Sequence, residues 1–142
     1  MDEKKILRAE KDIDIRFNEV DSMGIVWHGN YALYFEDARE TFGKLYQLEY
    51  LYMYSMGFYA PLVDLHVQYK RAIKYQDKIK IIIEYHDTEA AKIVFDYTIV
   101  NRETNEVMAL GQTTQVFLNH DYELMLQVPE FFTEWKRLNG II

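Results

Sequence analysis

Asp21-Ser22-Met23-Gly24-Ile25-Val26-Trp27-His28-Gly29-Asn30-Tyr31 sets one carboxylate a short, glycine-flexed loop ahead of a strongly patterned helix. From Asn30, a residue suited to cap a helix, Tyr31, Tyr34, Phe35, Ala38, Phe42 and Leu45 recur at three- and four-residue steps, and Glu36, Arg39, Glu40 and Lys44 fall largely off that stripe. A face so wide and aromatic needs a sheet to lie on. The start of a helix also carries unpaired N–H groups and a positive dipole end, which stabilise a developing oxyanion; a carboxylate beside it can attack a carbonyl or activate water. Asp in a glycine-containing loop usually serves turn chemistry or caps a helix, and His28 either orients a substrate or is simply a loop histidine bonded to backbone.

Upstream, residues 11–17 alternate, with Ile13, Ile15 and Phe17 on one side and Asp12, Asp14 and Arg16 on the other, the period of a half-buried strand. Downstream, a short helix is expected over Glu49 to Met56, ended by Gly57. Pro61 then opens an alternating run, Leu62 to Tyr69. A basic bend containing Lys70, Arg71, Lys74 and Asp77 separates it from Lys78–Tyr85, where Ile79, Ile81, Ile83 and Tyr85 share a face. Two more strands follow, one with Ile93, Phe95, Tyr97 and Ile99 inward, the other with Met108, Leu110, Thr114, Val116 and Leu118 inward. The polar turns Asp87 to Ala91 and Asn101 to Glu106 join them as a hairpin meander. Pro129 suits the first turn of a closing helix that uses Phe131, Phe132, Trp135 and Leu138. One long helix leaves the other face of the sheet open to a partner subunit, so a dimer at least is expected.

At 142 residues and 49% apolar, the chain fits one domain over 1–142 with a real core, and its 12 Tyr and 8 Phe suit sheet faces, grooves and interfaces. A net charge of −7 opposes nucleic-acid binding, which needs a basic face. With no Cys there is no disulfide framework, thiolate nucleophile or Cys-based metal site, as fits a cytoplasmic location. The N-terminal Met1-Asp-Glu-Lys-Lys lacks an apolar signal core, and no transmembrane segment is expected. His66, His86 and His120 have no ligand-like spacing, so no metal and no cofactor is expected. Serine-hydrolase, P-loop and dinucleotide motifs are absent. The basic island Lys70, Arg71, Lys74 and Lys78 suits a phosphate-bearing ligand or simply a solvated strand edge. Tyr34, Phe35, Phe58, Tyr59 and Leu62 could line a pocket or form core.

The string Asp21-x-x-Gly24-Ile25-Val26-Trp27-His28-x-Asn30-Tyr31 resembles the signature of the 4-hydroxybenzoyl-CoA thioesterase-like branch of hot-dog-fold thioesterases, which includes acyl-CoA thioesterases associated with the Tol-Pal system. The similarity continues through Phe35-Glu36-Asp37-Ala38-Arg39, Pro61-Leu62-Val63, the Tyr69 to Asp77 segment, and Gly111 and Thr113. It implies an α+β hot-dog fold, an antiparallel sheet of about five strands wrapped around a long central helix, in dimers that often pair into homotetramers. It also implies cleavage of an acyl thioester, usually of coenzyme A. By this resemblance Asp21 is the catalytic carboxylate, and the His28 backbone N–H polarises the carbonyl at a helix start formed with Gly29, Asn30 and Tyr31. The His28 side chain matches the short-to-medium acyl enzymes more than the aromatic-specific ones. Tyr69, Lys70, Arg71 and Lys92 are the implied substrate-binding residues.

Two departures qualify this. Glu89-Ala90-Ala91 stands where some relatives carry basic residues for coenzyme A phosphates, leaving Lys92 with little help, and Ala60 replaces a hydroxyl residue near the thioester. The alternatives are hydrolysis of acyl chains on acyl carrier protein, an acidic partner that the Lys70–Lys78 island would dock, and a non-catalytic acyl-binding or assembly protein on the same scaffold.

Overall fold

In a computed structural model, residues 6–142 are described; the charged start Met1-Asp-Glu-Lys-Lys lies outside them. β1 (Arg8–Asp14) enters the sheet with Leu7, Ala9 and Ile15 buried. The expected 11–17 strand therefore starts earlier and ends sooner. Phe17 leaves the ladder in a 3-10 turn (Phe17–Glu19), where Glu19 Oε1 accepts the Arg16 N–H at 2.7 Å, and its ring is 76% exposed against Tyr75.

α1 (Asn30–Tyr46) buries Tyr31, Tyr34, Phe35, Ala38 and Phe42, as its periodicity requires. Asn30 is not its cap. Gly29 holds that position, Asn30 is the first helical residue, and no side chain caps the helix. Leu45 is exposed, because the last turn meets the returning chain at Leu48 through Gly43. α2 (Tyr50–Ser55) ends at Gly57, whose φ of +100° is the left-handed turn glycine provides.

Then come β2 (Phe58–Tyr59), β3 (Leu62–Tyr69), β4 (Lys78–His86), β5 (Lys92–Asn101), β6 (Val107–Val116) and β7 (Leu118–Asn119). The main sheet is antiparallel in the order β1-β4-β5-β6-β3, and β2 pairs with β7 in an unexpected two-stranded ladder. β4, β5 and β6 form the expected meander. β3 is not the hairpin partner of β4: the basic bend carries the chain across to the opposite edge, where β3 pairs with β6.

Ile79, Ile81, Ile83 and Tyr85 of β4 and Ile93, Phe95, Tyr97 and Ile99 of β5 all face the core. In β6 the expected face is wrong past Met108. A bulge lets Ile99 pair with Ala109 and Val100 with Val107, so the two-residue period slips by one. Ala109, Thr113 and Phe117 turn inward, and Leu110 outward. Gly111 falls under α1, where a Cβ would strike the Phe35 ring.

α3 (Glu130–Leu138) closes one end of the core through Phe131, Phe132 and Trp135, with Trp135 Nε1 donating to the Tyr46 carbonyl at 2.8 Å. Leu138, expected inward, is 76% exposed, and Lys136 is buried instead. Its ammonium donates to Thr88 O at 2.7 Å, lies 2.9 Å from Asp87 Oδ1 and sits over the Phe132 ring. Among the described residues no helix is long and apolar enough to cross a membrane.

Candidate active site

The loop ahead of α1 is built as a small hairpin. Gly24 N–H donates to Asp21 O, Asp21 N–H to Ile25 O, and Gly24 takes φ +76°, the left-handed conformation the turn demands. One oxygen of the Asp21 carboxylate accepts the Met23 N–H at 2.8 Å. The loop is stitched to the basic bend: Val26 N–H donates to Ile73 O, Tyr75 N–H to Gly24 O, and Ile25 bridges Lys74. Ile73, fully buried, is the anchor. The sequence held a signal for it, one branched apolar residue inside a polar run.

Past the hairpin, Trp27 N–H donates to Glu19 O, Asn30 N–H to Trp27 O and Tyr31 N–H to His28 O. Between them, the N–H groups of His28 and Gly29 make no hydrogen bond among the described residues. Two donors are thus presented together at the positive end of a seventeen-residue helix. The Trp27 indole lies across Gly29, in the space a Cβ would need.

A cavity of about 420 Å³ at this helix start brings together Asp21, His28, Tyr31, Tyr69, Lys70 and Arg71, with Met23, Ile25, Val26, Ala72 and Ile73 as its apolar wall. Tyr31 and Tyr69 meet edge to face at 4.8 Å. Burial, and secondarily Tyr69, pushes the Tyr31 hydroxyl up to about 12, so it stays protonated at neutral pH. Arg71 is paired with Glu106 at 2.8 Å. Asn30 stands beside this cavity with its side chain turned to the Glu19 carbonyl.

Lys92 is elsewhere. It pairs with Val116, whereas Tyr69 pairs with Ala109 and so aligns with Ile99, about seven residues or about 23 Å along β5. Tyr34 and Phe35 are core, Phe58 packs against it, Tyr59 stacks on Tyr122 and meets His120 at a tilt, and Leu62 lies exposed on β3. Among the described residues no group of His, Asp and Glu could hold a metal ion.

A second cavity, of about 430 Å³, lies at that other end of β3. Phe42, Leu48, Met53, Ala60, Ile93 and Phe95 form its apolar floor, and Glu36, Arg39, Glu40 and Glu49 its rim. Arg39 donates to the Tyr97 hydroxyl at 3.1 Å, which in turn shares a hydrogen bond with Thr113 at 2.7 Å. Sequence reasoning missed this cavity, because its residues come from α1, α2, β5 and β6 and meet only in the fold.

The family model described as the thioesterase-like superfamily matches residues 15–136. The Bacillus subtilis protein named "Putative acyl-CoA thioesterase YneP" is 27% identical over 127 residues, 89% of this chain and 91% of that one. A solved structure of a DHNA-CoA thioesterase from Staphylococcus aureus superposes with a TM-score of 0.81 at 27% identity, covering 94% of this chain and 92% of that one. A 1,4-dihydroxy-2-naphthoyl-CoA thioesterase from Synechocystis, at 18% identity and TM-score 0.78 over 95% of this chain and 98% of that one, shares the fold. With its five-stranded antiparallel sheet packed on one long helix, the chain has the hot-dog fold and belongs to the thioesterase-like superfamily.

Proposed function

We propose that this protein hydrolyses acyl-CoA thioesters. The observation that carries the reading is the single cavity lined by both Asp21 and His28, beside two backbone N–H groups left without acceptors. The thioester carbonyl oxygen accepts from His28 N–H, with Gly29 N–H beside it, and the dipole of α1 stabilises the oxyanion as it forms. Asp21 either attacks the carbonyl carbon, giving a mixed anhydride that water opens, or takes a proton from a water that attacks directly. On both routes the C–S bond breaks, the thiol leaves with a proton and the acid is released. The names of the similar proteins from B. subtilis and S. aureus support this activity.

The working unit in this reading is a dimer joined through β3. Among the described residues no further strand covers either sheet edge in one copy, but β1 is lined with charge (Arg8, Glu10, Lys11, Asp12, Asp14), while β3 exposes Leu62, Val63 and Leu65. Antiparallel pairing of β3 with itself sets Leu62 against the partner's Tyr69. The Arg39 cavity of one copy then meets the Asp21 cavity of the other, and Lys92 reaches coenzyme A from the partner side. The acyl group occupies the Arg39 cavity. A ring-borne hydroxyl suits its rim, accepting from Arg39 and donating to Glu36 or Glu49, and the S. aureus protein is named for such an acyl group.

Asp21→Asn tests the chemistry. It should keep the fold and cut thiol release from a panel of aliphatic and hydroxylated aromatic acyl-CoAs by at least about 100-fold. Full activity of that variant, or no release by the wild type across the panel, would falsify the reading.

A further inference from the structure

We infer that Glu19 and Asn30 are positioning residues that hold the two oxyanion donors in place, an inference that rests on the thioesterase reading of the same site. One atom, the Glu19 carbonyl oxygen, accepts from Trp27 N–H at 2.9 Å and from Asn30 Nδ2 at 2.8 Å. Those donors flank His28 and Gly29 on either side. Tying both flanks to one point leaves the two N–H groups between them as the pair without acceptors among the described residues. A carbonyl has two lone pairs, and here both are used.

The arrangement also explains why Asn30 does not cap its helix. As the first helical residue it lies one position past the cap, and its side chain reaches back eleven positions to the segment that carries the carboxylate. Glu19 lies two residues before Asp21, so the same clamp fixes the acid relative to the oxyanion donors. Such distances matter in catalysis, where misplacement of reacting groups by about 1 Å costs on the order of 100-fold.

Glu19 is itself held. Its Oε1 accepts the Arg16 N–H at 2.7 Å, and the Tyr34 hydroxyl is buried with no hydrogen-bond partner among the described residues. Burial, then Glu19, raises the Tyr34 hydroxyl above its usual range, so it stays protonated. Tyr34 sits fully inside the α1 face on the sheet.

The test compares Asn30→Ala, Asn30→Asp and Asn30→Gln in the full-length protein. Alanine removes the donor, aspartate keeps the shape but cannot donate, and glutamine restores a donor on a longer arm. We expect kcat to fall roughly 10- to 100-fold in the first two with KM within about twofold, and to recover at least threefold of that loss in the third. In 15N-labelled protein the His28 and Gly29 amides should show lower heteronuclear NOE values in Asn30→Ala than in the wild type, a readout that needs no turnover. Unchanged kcat, or equal loss in all three variants with rigid His28 and Gly29 amides, overturns the clamp while leaving the thioesterase reading intact. A wild type with no thioester hydrolysis overturns both.

Discussion

Gly29 shows what one residue contributes here. Its φ of −66° is ordinary for any amino acid, so the demand for glycine is one of space: the Trp27 ring occupies the position of a Cβ. That ring is about half exposed and contacts His28 at 4.9 Å. Gly29→Ala should therefore push the indole outward at little cost in stability, under about 1 kcal/mol, because the clash is with the far end of a side chain that can turn into solvent. Emission of Trp27 should shift to the red, read in a Trp135→Phe background that silences the buried indole; an unshifted spectrum would mean that the ring and the added methyl coexist. At this scale much of the candidate site's layout was legible. The order acid, glycine turn, histidine, helix start is a local pattern, and local patterns survive in sequence. The bond from Asn30 to Glu19 was not legible, since Asn before an apolar run signals a cap by itself and only the fold brings Glu19 within reach.

Among the elements, α3 depends on a buried charge. Lys136 is 6% exposed, and Asp87, which also accepts from Tyr85 at 3.2 Å, is its carboxylate partner at 2.9 Å. Lys136→Met would keep the length and the contact with Phe132 but remove the ammonium from Asp87 Oδ1 and from the Thr88 carbonyl. Removing one partner of a buried pair costs about 3–5 kcal/mol, and the residual exposure of Asp87 reduces this to roughly 2–4 kcal/mol, to be measured by urea unfolding. A loss below 1 kcal/mol would show that the pair is solvated. A charged residue in an amphipathic pattern is read as solvent-facing, which is why Leu138 was expected inward in its place. β6 failed for a different reason: a bulge inserts one residue, and nothing in Val107-Met108-Ala109 announces it, whereas the unbroken alternation of β4 and β5 gave every inward residue correctly.

For the whole molecule, two properties follow from what the fold buries and what it leaves open. Burial raises the hydroxyls of Tyr31, Tyr34, Tyr85 and Tyr97 above the ordinary 10.0, Tyr31 to about 12. Each binds its proton more tightly folded than unfolded, so the unfolded chain loses protons first as pH rises past 10. Their contribution to stability is fully present below pH 10 and is lost as pH rises through the folded values, so the urea midpoint should hold between pH 8 and 9.5 and decline from pH 10 upward. A flat midpoint through pH 11 would contradict the buried placement.

The open property is the β3 edge. An eight-residue strand with exposed Leu62, Val63 and Leu65 is an association template unless another chain covers it, and the proposed dimer would bring the cavities at its two ends together across that edge. Replacing Val63 and Leu65 by lysine puts like charges across the proposed two-fold seam. The double variant should sediment as a monomer where the wild type is a dimer, keep its far-ultraviolet dichroism, and lose more than about tenfold in kcat/KM, with activity partly regained as protein concentration rises. Because every copy retains its own Asp21, His28 and Gly29, a monomeric variant with undiminished turnover would show that the acyl group binds within one protomer, and the division of the site between two copies would have to be abandoned.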